Sequence, residues 1–302
     1  MKAVPEPEDE FFEDVDWSPE NLSITIPSSP VLLQMYLQKT FHDIVLVIDG
    51  KEFSAHKAVL TGVSSFFETM LTSGFKEAQK TKAIARIALS QIKASTLKRL
   101  LDLIYTGTAV VTEPRALLLL KAAHMYQMDC VLSSIANALG KQVCLANYLE
   151  LWGYSNFYDV KELQTCVLTF VQAKELEVSS NADFVDAPSS LLSRAFISIT
   201  DRHRCRDILV ILQRIEQWVL HDATHGRKEA VDSILHGSLK RMTCRYSSYS
   251  VRSCQLLEIG QVLLRLSERS PIARRLVSKI LSRCAKSLQS GRLECDGLQM
   301  CD

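Results

Sequence analysis

Polar and apolar positions come in short blocks over the first third of this chain and settle into helical spacing afterwards. From Ile44 to Ile48 apolar residues follow one another without alternation, the pattern of a strand covered on both faces. Asp49-Gly50 comes next, and a two-residue turn between twisted strands needs positive φ at both central positions, so this pair predicts a hairpin. Phe53 and Ala55 then alternate with Glu52 and Ser54 in a second strand. At His56 the spacing becomes helical, through Val59, Leu60 and Val63 and on to Phe66, Phe67, Met70 and Leu71.

The same reasoning extends in both directions. Upstream, Pro27 and Pro30 bracket Ser28-Ser29, an expected N-cap for a helix carrying Val31, Leu32, Leu33, Met35, Tyr36 and Leu37. Its apolar residues cover more than one narrow stripe, which predicts burial against more than its own domain. Downstream, Thr72 to Ala83 is a polar loop interrupted by Phe75. Lys93 to Tyr105 is a predicted helix with Leu97, Leu100, Leu101 and Ile104 on one face and Gly107 as terminator. Pro114 opens the next, where its missing N–H costs nothing. Beyond Val110-Val111 no strand is expected, and the helical remainder breaks around Ser179-Ser180-Asn181 and at Pro188. Near the end, Leu256, Leu257, Ile259, Val262, Leu263 and Leu266 form one apolar face, and Pro271 opens a further helix.

The residues from Phe41 onward resemble the BTB (POZ) family, whose hallmark is an aspartate opening a strand, a small turn, and a strand running into an Ala-His-Lys helix. Here those are Asp43, Asp49-Gly50 and Ala55-His56-Lys57. The match continues through Ser64, Phe66-Phe67 and Met70, a strand at Ile87 to Leu89, the run Leu100 to Gly107, and Ala122 to Met128. From about Cys144 to His221 the chain is similar to the BACK helical domain, through Leu149-Glu150-Leu151-Trp152, Phe184, Leu191-Leu192 and Trp218 to Asp222; Asp207 only approximates an acidic position ahead of that tryptophan. The expected fold is α+β: a BTB/POZ domain at 28–140, an all-α BACK-like domain at 141–230 and a helical extension at 231–302. An acidic disordered tail is expected over 1–27, because the first twenty residues hold eight acidic side chains against Lys2. Deleting residues 1–25 is therefore expected to leave stability nearly unchanged.

The resemblance also implies function. BTB followed by BACK looks like the architecture of a substrate adaptor for a cullin-3 RING ubiquitin ligase, working as a homodimer that binds cullin-3 and an unidentified protein substrate. The family's cullin-contact motif, an apolar residue, any residue and a glutamate, matches Phe75-Lys76-Glu77. The helix with Leu32, Leu33 and Met35 corresponds to one that packs across a two-fold interface. A lysine in an apolar helix and an aspartate opening a buried strand are costly unless paired. In the family a corresponding pair lies at the base of the groove between subunits, which implies a charged contact between Asp43 and Lys57. The alternative is a non-catalytic scaffold or transcriptional regulator that binds no cullin. Nothing in these 302 residues resembles Kelch blades or zinc fingers.

Composition narrows the chemistry further. A net charge of +1 gives no general case for nucleic acid, and the basic residues after Pro271 scatter round much of their helix, as on a solvated face. Nine cysteines without a Cys-x-x-Cys pair suggest neither a disulfide framework nor structural zinc, so a reduced compartment, cytosol or nucleus, is expected. No apolar run approaches the ~20 residues needed to span a bilayer. The chain has no Gly-rich phosphate loop, no Gly-x-Ser-x-Gly elbow and no His-Glu-x-x-His pair, so neither enzymatic activity nor a cofactor is expected. His221 with His225, and His203 with Cys205, fall short of a metal ligand set, and His56 is expected to be satisfied by backbone hydrogen bonds.

Overall fold

A computed structural model describes residues 21–72, 84–196, 205–221, 227, 230–232, 234–235, 253–267, 270, 273–275 and 277–278. The chain forms two compact units that divide between Val167 and Leu168. The first is α+β, as expected. Its elements run β1 (Leu22–Thr25), α1 (Pro30–Gln38), β2 (Ile44–Ile48), β3 (Lys51–Ala55), α2 (Lys57–Val63), α3 (Ser65–Thr72), β4 (Ala85–Ala88), α4 (Ala94–Thr106), β5 (Thr108–Val111), α5 (Glu113–Met125), α6 (Asp129–Gly140) and α7 (Tyr148–Phe157). The helix α8 (Lys161–Ala173) spans the division between the units.

β2 is the middle strand of a three-stranded sheet of order β3-β2-β4, which is why its apolar run is unbroken. Ile44 and Leu46 are fully buried and Val45 nearly so. Asp49 and Gly50 take φ of 49° and 71°, the two positive values that the hairpin demands, and β3 returns antiparallel with Ile48 opposite Lys51. β4 runs parallel to β2 and lies slightly earlier than expected, at Ala85–Ala88. Ser64 ties the helices to this core: its hydroxyl donates to the Tyr126 carbonyl at 2.5 Å and accepts the Phe67 N–H at 3.1 Å, capping α3.

A second, two-stranded sheet departs from the sequence reading. β1 pairs antiparallel with β5, Leu22 opposite Val111 and Thr25 opposite Thr108, so the expected disordered tail does not extend to residue 27. Leu22, Ile24 and Ile26 are buried while Ser23 and Thr25 face outward, a period-two pattern too short to stand out beside the acidic run before it. Residues 1–20, which hold that run, lie outside the described residues. Gly107 joins α4 to this second sheet. It ends α4 with φ of 77°, its N–H donates to the Leu103 carbonyl at 2.8 Å, and its own carbonyl accepts the Ile26 N–H at 2.8 Å.

In the second unit, α9 (Glu175–Ser180) stops where the Ser-Ser-Asn break predicts. Asn181 then accepts the Asp183 N–H at 3.0 Å and starts a 3-10 helix, Ala182–Asp186, while Pro188 precedes α10 (Ser189–Ala195). Trp218, on the helix Cys205–His221, is fully buried and donates its indole N–H to the Ala187 carbonyl at 2.8 Å. The Arg227 guanidinium lies over the same ring, 4.9 Å from its centre. Helix Ser253–Ser267 packs against Cys205–His221 through the predicted stripe of Ile259, Val262, Leu263 and Leu266, all buried, and Arg265 holds Glu216 at its margin. Among the described residues no helix is long and apolar enough to cross a membrane.

Two predictions follow from glycine geometry and from β1. A Cβ at Gly107 would stand 2.6 Å from Ser28 Cβ and 2.9 Å from the Ile26 carbonyl oxygen, whereas one at Gly62 in α2 would meet nothing within 4 Å. Gly107→Ala should therefore destabilise by more than about 1 kcal/mol and Gly62→Ala should stabilise by about 0.5 kcal/mol, opposite signs that urea unfolding reads directly. Deleting residues 1–26 strips three buried apolar side chains. At ~1.5 to 3 kcal/mol for each large one, it should lower the thermal midpoint markedly, correcting the expectation that loss of 1–25 is harmless.

Candidate functional site

The surface of interest is built around α1. Although it reads Pro-Val-Leu-Leu-Gln-Met-Tyr-Leu-Gln, none of its residues is buried in the single chain. Leu32, Leu33, Met35 and Tyr36 are half-buried; Val31 and Leu37 are 59% and 69% exposed. Ser29 occupies the N-cap in extended geometry but its side chain makes no capping hydrogen bond, contrary to the sequence expectation.

A polar and aromatic clasp holds α1 to its domain. The Tyr36 ring stacks on Tyr105 with centres 4.1 Å apart and planes 2° from parallel, and its hydroxyl donates to Asp102 Oδ1 at 3.0 Å. Burial, with the Asp102 carboxylate next in effect, pushes the Tyr36 phenol up, so it stays a neutral donor. Asp102 also receives Lys98 at 2.7 Å. Beyond the helix, Lys39 and Phe41 are left-handed, with φ of 52° and 57°, and Phe41 is 81% exposed. Between them the Thr40 carbonyl lies 2.9 Å from His56 Nε2.

That contact fixes the tautomer. A carbonyl can only accept, so Nε2 carries the hydrogen, and Nδ1 of the neutral ring accepts from the Tyr105 hydroxyl at 2.9 Å. The Tyr105 oxygen in turn accepts the His56 backbone N–H at 3.0 Å. Burial pushes the Tyr105 phenol up to about 12, while the His56 N–H acts the other way and the Asp43 carboxylate raises it. His56 is thus satisfied as the sequence suggested, with a phenol as well as a backbone partner.

Within one chain, Asp43 and Lys57 meet through a backbone amide, and the charged contact expected between subunits involves a second copy. Asp43 is exposed, and its Oδ1 accepts the backbone N–H of Lys57 at 2.8 Å, while no ion pair links the two among the described residues. The first amides of α2 lack intrahelical acceptors, and a carboxylate placed there meets both an orphan donor and the positive end of the helix dipole. Asp49 repeats the device, taking the Ala94 N–H at the start of α4 at 3.1 Å. Sequence reasoning missed both caps, and also missed Tyr36 with Tyr105, because their partners lie 14, 45 and 69 residues away.

Phe75, Lys76 and Glu77 lie outside the described residues, as do His203 and His225; His221 is exposed. Cys130, Cys144 and Cys166 are free thiols, and among the described residues no group of His, Cys, Asp and Glu is gathered as for a metal ion. What α1 and Phe41 present is exposed apolar area on a fixed frame.

Known proteins agree with this frame. The family model of the BTB/POZ domain matches residues 32–142. Kelch-like protein 24a of Danio rerio is 23% identical over 242 residues, 79% of this chain and 39% of that protein. Kelch-like protein 38 of Danio rerio is 24% identical over 271 residues, covering 87% of this chain and 44% of its own length. Kelch repeat and BTB domain-containing protein 2 of Pongo abelii is 30% identical over 161 residues, 53% of this chain and 25% of that protein. The chain thus spans less than half the length of these relatives. Residues 32–142 are a BTB/POZ domain, and over most of its length the chain is similar to Kelch-like proteins.

Proposed function

We propose that this chain acts as a homodimeric protein-interaction adaptor, the substrate-recognition subunit of a cullin-3 RING ubiquitin ligase. The observation that carries the reading is α1, an apolar helix that buries none of its residues within one chain. A second copy packed on Leu32, Leu33 and Met35 would remove that surface from water, and an isologous contact counts every buried residue twice. Asp43 and Lys57 lie beside this surface in sequence order and would border the groove between subunits. The adaptor itself performs no chemistry in this scheme. Its partner ligase supplies the transfer, and two substrate sites on one dimer raise effective affinity for a single target.

Cullin-3 binding rests on Phe75-Lys76-Glu77 and on the company of Kelch-like relatives. We take the helices from α7 through Cys205–His221 as BACK-like, over residues 141–230, with 231–302 as an extension, and place the adaptor in the cytoplasm, the nucleus or both. The substrate is a protein recognised outside the BTB domain.

Replacing Leu33 and Met35 by aspartate should convert a dimer to a folded monomer, since each half-buried position would become a desolvated charge at the contact. Light scattering at micromolar protein reads the outcome, and a wild type already monomeric there rejects the homodimer. Phe75→Ala with Glu77→Ala should leave the dimer folded while costing about 2 kcal/mol of cullin-3 affinity, roughly thirtyfold. Titration calorimetry with the cullin-3 N-terminal domain measures this loss. Unchanged affinity rejects the contact site, and no binding by wild type turns the assignment to a scaffold that recruits no ligase.

A further inference from the structure

Three serines in this chain precede a proline, Ser18, Ser29 and Ser270, the dipeptide that proline-directed protein kinases require. Ser18 lies outside the described residues. The structure separates the other two by the state of their hydroxyls. Ser270 is 1% exposed, and its hydroxyl is occupied on both sides, bonded to Asp232 and accepting the Ala273 N–H at 3.1 Å. Ser29 is half-buried between exposed Ser28 and Pro30, with φ of −120° and ψ of 125°, and its side chain makes no capping hydrogen bond. An extended backbone carrying an unengaged hydroxyl is the shape a kinase cleft accepts. The two residues that follow, Pro30 and Val31, are exposed.

We propose that Ser29 is a phosphorylation site for a proline-directed kinase and that its phosphate weakens self-association through α1. In the transfer, Ser29 Oγ attacks the γ-phosphorus of ATP. The new Oγ–P bond replaces the bond to ADP, and the hydroxyl proton passes to the kinase's base. The product carries close to two negative charges next to Val31 and Leu32, at the head of the helix. Burying that turn against a second copy would desolvate both charges, and two-fold symmetry applies the penalty once per subunit. Ser28 lies beside Gly107 but precedes no proline, so the kinase would pass over it.

This consequence rests on the homodimer reading above; the site assignment does not. The full-length protein is incubated with a recombinant mitogen-activated protein kinase and ATP, and phosphate is mapped by mass spectrometry in wild type and in Ser29→Ala. Phosphate on Ser29, absent from the variant and from Ser270, is the expected result. Incorporation that spares Ser29 overturns the assignment. Ser29→Ala should keep the thermal midpoint of wild type, because no cap is lost, so missing phosphate there cannot be blamed on unfolding. Sedimentation of stoichiometrically phosphorylated protein should then show dimer affinity weakened about tenfold or more. Equal affinity in the two forms overturns the consequence, whereas an unmodified protein that is already monomeric removes the homodimer reading and its consequence while the mass spectrum still decides the site.

Discussion

The hydroxyl of Tyr105 is the point on which the first unit turns. It sits in the last turn of α4, 1% exposed as a residue, and it donates to the His56 ring while accepting the His56 amide. His56 in turn uses its remaining ring nitrogen to hold the Thr40 carbonyl. One phenol therefore fixes the junction of β3 with α2, and through the imidazole fixes the chain between α1 and β2. Each group in the loop is both donor and acceptor or is matched to its opposite, so nothing polar is left to destabilise a buried position. A phenylalanine at position 105 would keep the stacked ring under Tyr36 but leave two histidine nitrogens without partners.

This arrangement separates two tasks that often compete. The core of the domain is secured by apolar burial along β2, α4 and α5, whereas α1 is secured by a stacked ring, one phenol-to-carboxylate bond and the chain that follows it. Directional contacts can hold a helix in place without consuming its aliphatic face. Leu32, Leu33 and Met35 stay only half-buried in the single chain, and Val31, Leu37 and Phe41 stay exposed.

Features with local causes were legible in the sequence. The Asp49-Gly50 turn needs its two positive φ angles wherever it occurs; Gly107 must be left-handed to end α4; and Pro114 and Pro188 mark helix starts, while Trp218, Phe184 and Leu191, picked out by resemblance to the BACK domain, are buried in the second unit. What was not legible depends on partners distant along the chain. β1 exists because β5, more than eighty residues later, offers its edge, and four residues of modest alternation carry no signal of that. The role of Asp43 as a helix cap was hidden for the same reason, because charge is visible in a sequence. The backbone amide it binds is not, since every residue has one. Tyr36 and Tyr105 likewise read as two unrelated aromatics, 69 positions apart.

The link between α1 and β2 shows how finely α1 is balanced. Lys39 and Phe41 hold left-handed conformations that cost L-residues on the order of 1 to 2 kcal/mol each. Against this stand the Thr40–His56 hydrogen bond and the Tyr36–Tyr105 stack, each worth on the order of 1 kcal/mol, and the Tyr36–Asp102 bond, whose charged acceptor makes it somewhat stronger. The two sides nearly cancel, so the clasp sets the direction of α1 without supplying much net stability. Phe41, held in solvent by a conformation its side chain does not favour, gains nothing from the single chain. In the proposed dimer, a surface whose position is fixed while its burial is still to come would leave the larger part of the free energy to be released on binding.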